Sequence, residues 1–337
     1  MDLESFLAEW NNDSPTVLVH TSGSTGTPKP MQVEKQRMEA SARITCSFLG
    51  LRAGDTALLC MPLDYIAGKM MVVRALTCNL RLSCVLPSGH PLSDFTEPVD
   101  FAAMVPLQVY NSLQVAAERE RLRQIRHLII GGGAIDESLQ AALKDFPYAV
   151  WSTYGMTETL SHIALRRLNG PTSTDWYTPF DGVRVSQTSE GCLVIDAPAV
   201  HEGTLVTNDM VELDGQRFRV LGRKDNVICS GGIKIQAEEV EHMLHAHLST
   251  PYIITRAKDE RLGQQVVLMI ERGDADEAMR VCRQVLPKYW QPRRIVVVDR
   301  LPMTQTGKPA RAEAEKLVAE DEKKWDTSSR ISPTIGY

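Results

Sequence analysis

The sequence predicts an α/β protein: a large N-terminal α/β domain closed by a β-rich segment, followed by a small C-terminal α+β domain. Three observations carry that reading. Apolar, strand-like runs alternate with helical patterns, as at Val17-Leu18-Val19 before a glycine loop, Leu128-Ile129-Ile130 before Gly131-Gly132-Gly133, and Ile295-Val296-Val297-Val298. Between Gln187 and Leu221 the pattern becomes short strands separated by Glu190-Gly191, His201-Glu202-Gly203 and Asp214-Gly215, turn residues that favour antiparallel hairpins. After Gly222-Arg223-Lys224-Asp225 the texture shifts again, to a compact α+β unit. A length of 337 residues accommodates about two domains at roughly 150 residues each. The expected division is residues 1–223, 224–325, and a flexible tail over 326–337.

In the second unit the expected elements are a helix from about Ala237, strands at Tyr252 to Thr255 and Val266 to Ile270, a helix from about Ala275 and the strand at Ile295. The first of these helices places Val240, Met243, Leu244 and His247 on one stripe. Glu238, Glu239 and Glu241 fall in its first turn, where the helix dipole favours negative charge, so they read as caps rather than catalysts.

Composition narrows the function classes. At 43% hydrophobic and 23% charged residues the chain is globular, which excludes disorder, collagen and coiled coil. Lys plus Arg is 37 against Asp plus Glu 42, a formal charge of −5, so no general attraction for nucleic acid or anionic membrane exists and a polyanion must be gripped locally. The acidic opening Met1 to Phe6 lacks the basic and apolar regions of a signal peptide, and no run approaches the roughly 18 apolar residues of a membrane span, so a cytoplasmic protein is expected. Seven cysteines without a C-x-x-C pair argue against a disulfide framework or a structural zinc site. The motifs H-E-x-x-H and G-x-S-x-G are absent, which removes zinc and serine hydrolases.

The strongest local signal is Thr21-Ser22-Gly23-Ser24-Thr25-Gly26-Thr27-Pro28-Lys29, directly after a predicted strand. Its glycines let the backbone fold around an anion, its hydroxyls and N–H groups donate, and Lys29 adds a cation, a combination suited to nucleotide phosphates. The spacing departs from the Walker pattern, so a P-loop NTPase is disfavoured. Ser152-Thr153-Tyr154-Gly155-Met156-Thr157-Glu158-Thr159 offers an aromatic face, a hydroxyl and a carboxylate around one glycine, suited to stacking a base, touching a phosphate and holding Mg²⁺; alone it reads more readily as an ordinary turn. Asp209 and Arg223 can reach ribose hydroxyls, and Lys308 sits on the glycine-flanked loop Thr304 to Lys308. Each of these also reads as a plain surface feature.

Taken in order, these segments resemble the adenylate-forming superfamily of acyl-CoA synthetases, peptide-synthetase adenylation domains and luciferases. The matching signatures are Thr21 to Lys29, Tyr154 to Glu158, Asp209, Gly222 to Asp225, the G-G-x-K-I element at Gly231 to Glu241, and Thr306 to Lys308. Met61-Pro62-Leu63 with Gly68, Ser230 to Glu241, and Trp290-Gln291-Pro292 further resemble the 2-succinylbenzoate:CoA ligases of menaquinone synthesis. Two departures stand out: the phosphate loop begins near residue 20, without the section that precedes it in the family, and Tyr65 stands where many relatives have histidine.

The resemblance implies an AMP-forming acid:CoA ligase using ATP, Mg²⁺ and CoA on a small carboxylic acid, with no nucleic-acid partner and room for a homo-oligomer. It implies Lys308, Glu158 and Thr157 as catalytic, Glu158 also holding the metal. Thr21, Ser22, Gly23, Ser24, Thr25, Gly26 and Lys29 would take phosphates, Gly131, Gly132, Gly133, Tyr154 and Gly155 the adenine, Asp209 and Arg223 the ribose, and Gly231, Gly232 and Lys234 the pantetheine arm. A hinge at Asp225 would swing the small domain between the two half-reactions. Lys69, Ser161 and His162 are expected in the acyl pocket. Their plainer readings are a surface cation, a capping hydroxyl and a hydrogen-bonded structural imidazole. Another aryl or fatty acid, or an adenylate-binding protein without turnover, remain the alternatives.

Overall fold

The computed structural model describes residues 1–20, 30–133, 135, 137–304 and 309–329. The phosphate-loop residues 21–29 and Lys308 lie outside the described residues. Two compact units form, one of Met1–Thr207 with Glu212–Arg219, the other of Asn208–Val211 with the chain from Val220 onward.

The first unit opens with helix α1 (Leu3–Asn11), the antiparallel pair β1 (Thr16–His20) and β2 (Pro30–Glu34), and helix α2 (Lys35–Leu49). There follow β3 (Thr56–Leu59), α3 (Ile66–Cys78), β4 (Arg81–Cys84), β5 (Phe101–Met104), α4 (Pro106–Gln114), α5 (Ala116–Arg123), β6 (His127–Ile130), α6 (Glu137–Leu143), β7 (Ala149–Gly155), β8 (His162–Arg167) and β9 (Thr178–Pro179). Strands β3 to β9 make one seven-stranded sheet in the order β4-β3-β5-β6-β7-β8-β9. Pairing is parallel from β4 to β7 and antiparallel beyond. Helices between parallel strands bury both faces, so β5 (Phe101-Ala102-Ala103-Met104) is buried throughout and apolar without alternation. Because the chain leaves each parallel strand on one side of the sheet, Pro62, Val105-Pro106, Gly131 to Gly133 and Gly155 gather at the C-terminal strand ends, the usual ligand side of such sheets.

The Gln187 to Leu221 region forms the antiparallel order expected: β10 (Arg184–Gln187), β11 (Cys192–Asp196), β12 (Thr204–Asp214) and β13 (Arg217–Arg223) are sheet neighbours in sequence. Strands β12 and β13 carry the chain from one unit into the other.

The second unit comprises β14 (Val227–Ser230), β15 (Ile233–Gln236), α7 (Ala237–His245), β16 (Tyr252–Asp259), β17 (Gly263–Glu271), α8 (Ala275–Val285), β18 (Arg294–Val298) and α9 (Arg311–Ser329). Central β17 alternates faces with period two. Val266, Leu268 and Ile270 pack with Val240, Leu244 and Cys282 under α7 and α8, while Val267 and Met269 pack with Val296, Ala314 and Val318 under α9. All seven cysteines are free thiols, and Cys46, Cys60, Cys192 and Cys282 are buried as small apolar side chains. No helix among the described residues is long and apolar enough to cross a membrane.

Gly68, in the first turn of α3, explains its pairing with Met61-Pro62-Leu63: a Cβ there would stand 2.2 Å from the Pro62 carbonyl oxygen and 3.1 Å from that of Met61. Backbone, not a flexible side chain, is in the way. Gly68→Ala should therefore destabilise the first unit by about 1–3 kcal/mol, as overpacking does. Denaturant unfolding checks this, and an unchanged midpoint would contradict the close approach.

Candidate active site

The backbone after β6 is held open by glycine. A Cβ on Gly131 would lie 2.2 Å from Thr153 Oγ1 on β7, and Gly132 (φ 79°) packs beside the Val105 side chain. The result is a stretch of main chain that a planar ring can approach closely. Next to it, on β7, the Tyr154 ring meets Phe218 edge-on at 4.9 Å and Tyr177 at 5.8 Å. Tyr177 and Phe218 stack at 5.4 Å, and the Tyr177 hydroxyl lies 2.8 Å from Ser152 Oγ. Such aromatic contacts contribute roughly 0.5–1.5 kcal/mol each beyond burial, enough to hold Tyr154 in one orientation.

Beyond Gly155 the chain turns back sharply. A Cβ at Gly155 would stand 2.3 Å from the Ser161 carbonyl oxygen and 2.4 Å from His162 Cα, so only glycine lets the hairpin close. Inside the turn, buried Thr159 accepts a hydrogen bond from the Met156 amide at 3.1 Å, and its hydroxyl is within donor reach of the Ser161 carbonyl at 2.8 Å. Leu160 has φ 64° and ψ −33°, and the Ser161 amide donates to the Thr159 carbonyl at 2.7 Å, a tight three-residue turn that is rare for a residue with a side chain. Thr157 is buried and Glu158 half-buried on one flank of this turn, with the Glu158 carbonyl facing His201 Nδ1 at 3.2 Å. No cluster of three or more metal-ligating side chains occurs among the described residues. A lone carboxylate such as Glu158 nevertheless fits Mg²⁺, which takes one or two protein carboxylates and completes its octahedron with phosphate and water oxygens.

On the other flank stand Ser161 and His162, both engaged in one buried network. Arg74 Nη2 donates to Ser161 Oγ at 2.6 Å, Ser161 Oγ lies 3.2 Å from His162 Nδ1, and His162 Nε2 lies 3.1 Å from Thr45 Oγ1. Burial first, then the Arg74 charge, hold His162 well below its ordinary pKa of 6.5. Arg74 itself is 2% exposed, its Nε has no hydrogen-bond partner among the described residues, and burial pushes its pKa down to about 10. At neutral pH it is still a cation. Sequence reasoning missed this residue, although an arginine set within Met70-Met71-Val72-Val73-Arg74-Ala75 was a signal: a charge on an all-apolar helical stretch must be buried and therefore paired.

Lys69, expected in the acyl pocket, is instead committed to the N-terminal helix. Its ammonium donates to the Leu18 carbonyl at 2.7 Å, pairs with Glu9 at 3.3 Å and lies 5.2 Å from the Phe6 ring centroid. It is not a surface cation either, being 2% exposed. Both readings missed that α1 packs over α3.

In the second unit Arg223 bridges two carboxylates, Asp209 at 3.1 Å and Asp225 at 2.8 Å, so the residues expected at the ribose do meet. Gly231 (φ 58°) and Gly232 (φ 84°) form the two-residue loop between paired Ser230 and Ile233, a turn that requires positive φ twice. Lys234 stands exposed on β15 just after it. Glu241 is no helix cap: it takes Arg311 in a bidentate pair at 2.8 and 2.7 Å and accepts from the Ile254 amide. Burial would lower the pKa of Arg311, but the hydrogen bonds and charge of Glu241 outweigh it and leave it raised. The Met303 to Pro309 bridge and the Ala310 amide donating to Pro302 lie just before this clamp, among the described residues on either side of 305–308.

The His162 network predicts a pH dependence. Unfolded, the imidazole returns to about 6.5 and binds a proton the folded form refuses, so stability falls as pH drops below that value. Thermal unfolding from about pH 7.5 to 5.5 should show this loss, and His162→Gln should flatten part of it. An identical slope in the variant would show that another group is responsible.

Known proteins are similar in sequence and fold. The family described as AMP-binding enzyme matches residues 4–207, and the AMP-binding enzyme C-terminal domain matches residues 239–308. A 2-succinylbenzoate–CoA ligase of Bacillus mycoides is 27% identical over 94% of this chain and 73% of its own length. An acyl-CoA synthetase (AMP-forming)/AMP-acid ligase II-like protein of Dyadobacter fermentans superposes with a TM-score of 0.63 at 33% identity, covering 92% of each chain. The O-succinylbenzoate coenzyme A synthetase of Bacillus subtilis, solved with ATP and magnesium, has the same fold, with a TM-score of 0.73 at 24% identity over 88% of this chain and 69% of that one. With a family match spanning well over half its length, the chain belongs to the AMP-binding enzymes.

Proposed function

We propose that this protein is an ATP-dependent acid:CoA ligase acting in the cytoplasm, whose acid is 2-succinylbenzoate and whose product is 2-succinylbenzoyl-CoA. The reading is supported above all by the pairing of both AMP-binding modules in one chain with relatives named 2-succinylbenzoate–CoA ligase along 94% of its length. The choice of acid is supported by Arg74: a buried guanidinium whose Nε has no hydrogen-bond partner among the described residues, beside Ser161, suits a substrate that carries a second carboxylate.

In the first half-reaction an oxygen of the acid's carboxylate attacks the α-phosphorus of ATP. The new O–P bond forms as the bond to the bridging oxygen of the β-phosphate breaks, and pyrophosphate leaves. Negative charge builds on phosphate oxygens, so the work is positioning and charge stabilisation rather than proton transfer. Lys308 supplies the principal cation; Thr21 to Lys29 hold the outer phosphates; Thr157 and Glu158 serve the phosphate and Mg²⁺, which would neutralise polyphosphate charge. Tyr154 and the Gly131 to Gly133 main chain receive the adenine, and Asp209 with Arg223 the ribose hydroxyls. In the second half the thiolate sulfur of CoA attacks the acyl carbon, a C–S bond replaces the C–O bond to AMP, and the thiol proton passes to solvent. Gly231, Gly232 and Lys234 line the path of the pantetheine arm.

Incubation with ATP, Mg²⁺, CoA and 2-succinylbenzoate should yield the thioester, detected by mass. A panel of other aryl and fatty acids giving faster pyrophosphate release would replace the proposed acid while keeping the activity. Lys308→Ala should lower adenylation by about 10²–10³ and leave most ATP affinity intact. Full turnover by that variant would overturn the assigned role.

A further inference from the structure

The hydrogen-bond network behind Ser161 has only one consistent proton order, and it can be deduced from its far end. Thr45 Oγ1 lies 3.1 Å from the Ser41 carbonyl, a group that can only accept, so the single hydroxyl proton of Thr45 is spent there. Thr45 must then accept from His162, which places the imidazole proton on Nε2 and leaves Nδ1 bare. Bare Nδ1 can only accept, so Ser161 donates its one proton to it. Ser161 in turn presents a lone pair to Arg74 Nη2 at 2.6 Å. Every dipole in the series points its negative end toward the guanidinium, which helps offset the desolvation of a cation whose side chain is fully enclosed.

From this order we infer that His162 and Thr45 are positioning residues for the acyl acid: they fix Ser161 as a hydrogen-bond acceptor, which aims the remaining donors of Arg74, including its unpartnered Nε, at the acid's second carboxylate. The inference rests on the dicarboxylate reading of the acyl site. It also reassigns two residues expected to touch substrate. The Ser161 proton is already committed, so Ser161 offers the acid no donor, and His162 acts only through Ser161 and Arg74. Phe180, whose ring packs edge-on to His162 at 5.5 Å, adds no polar group that would compete for Nδ1 or Nε2. The polar series thus runs from α3 through the tip of the β7–β8 hairpin to α2 without a branch among these contacts.

Two measurements on the full chain test this. Nitrogen-15 spectra of histidine-labelled protein, assigned by difference against His162→Gln, should show Nε2 protonated and Nδ1 bare; the opposite tautomer overturns the relay whatever the substrate is. Kinetics then compare 2-succinylbenzoate with 3-benzoylpropionate, the same keto acid without the ring carboxylate. His162→Leu should raise KM for 2-succinylbenzoate by about tenfold, the scale of one lost hydrogen bond to a charged group, with the effect falling on KM rather than kcat. KM for ATP and for 3-benzoylpropionate should stay within about twofold. His162→Gln, which offers an acceptor to Ser161 and a donor to Thr45, should recover most of the loss. Thr45→Val, nearly isosteric, should shift KM in the same direction and adds little on top of His162→Leu, which keeps the test readable if the leucine variant folds poorly. Equal KM shifts for the two acids, or none in folded variants, overturn the positioning role. A wild type that converts neither acid brings down the substrate reading and the positioning role with it, while the nitrogen spectrum still decides the proton order.

Discussion

The close approach of Gly155 to the Ser161 carbonyl and His162 Cα is the constraint on which the site depends. Two antiparallel strands meet there with no room for a single methyl group, so the connecting turn must be folded onto itself. That closure divides the segment into two flanks. Tyr154 is left on the side of Phe218 and Tyr177, Thr157 and Glu158 ride the turn, and Ser161 is delivered to Arg74 on a different helix. One backbone contact therefore sets the Tyr154 ring, the Thr157–Glu158 turn and Ser161 in a fixed order around the hairpin tip.

Buried charge is handled in three distinct ways. Lys69 is compensated by a carbonyl, a carboxylate and an aromatic face, and it serves to tie α1 to α3. Arg311 is matched twice over by Glu241, which ties the start of α9 to α7. Of these three, Arg74 meets only neutral acceptors among the described residues, one hydroxyl and a weak thioether sulfur at 3.9 Å. Desolvation is costly for any ion, and a cation left short of an anion inside a fold is where a ligand carboxylate gains most.

Much of this was legible in the residues. Leu128-Ile129-Ile130 announced its parallel strand as an unbroken apolar run before glycines, because a sheet covered on both faces has no polar side to display, whereas the similar run Val17-Leu18-Val19 belongs to an antiparallel pair with Leu18 exposed. Hairpins between β10 and β13 followed from turn residues, whereas Ser230-Gly231-Gly232 was legible only as a resemblance to a family motif, and its two-residue turn with positive φ twice emerged with the fold. What stayed hidden depends on contacts far apart in sequence. Nothing near Lys69 says that α1 will cover it, and nothing near Glu241 says that an arginine 70 residues later will claim both its oxygens. Tyr177 carries no motif at all, yet it braces Tyr154. Helix α1, by contrast, did carry a local signal, with Leu3, Phe6, Leu7 and Trp10 at i, i+3, i+4 and i+7 behind the Asp2 cap.

Leu160 sits under two opposed demands. Its backbone, at φ 64°, is a conformation glycine would adopt without strain, but its side chain is 3% exposed and fills the interior beneath the turn. Neither demand can be met in full by one amino acid. Valine, isoleucine and threonine are the worst compromise, since branching at Cβ crowds the very backbone that must bend; apolar residues without Cβ branching, or glycine with a compensating larger neighbour, fit best.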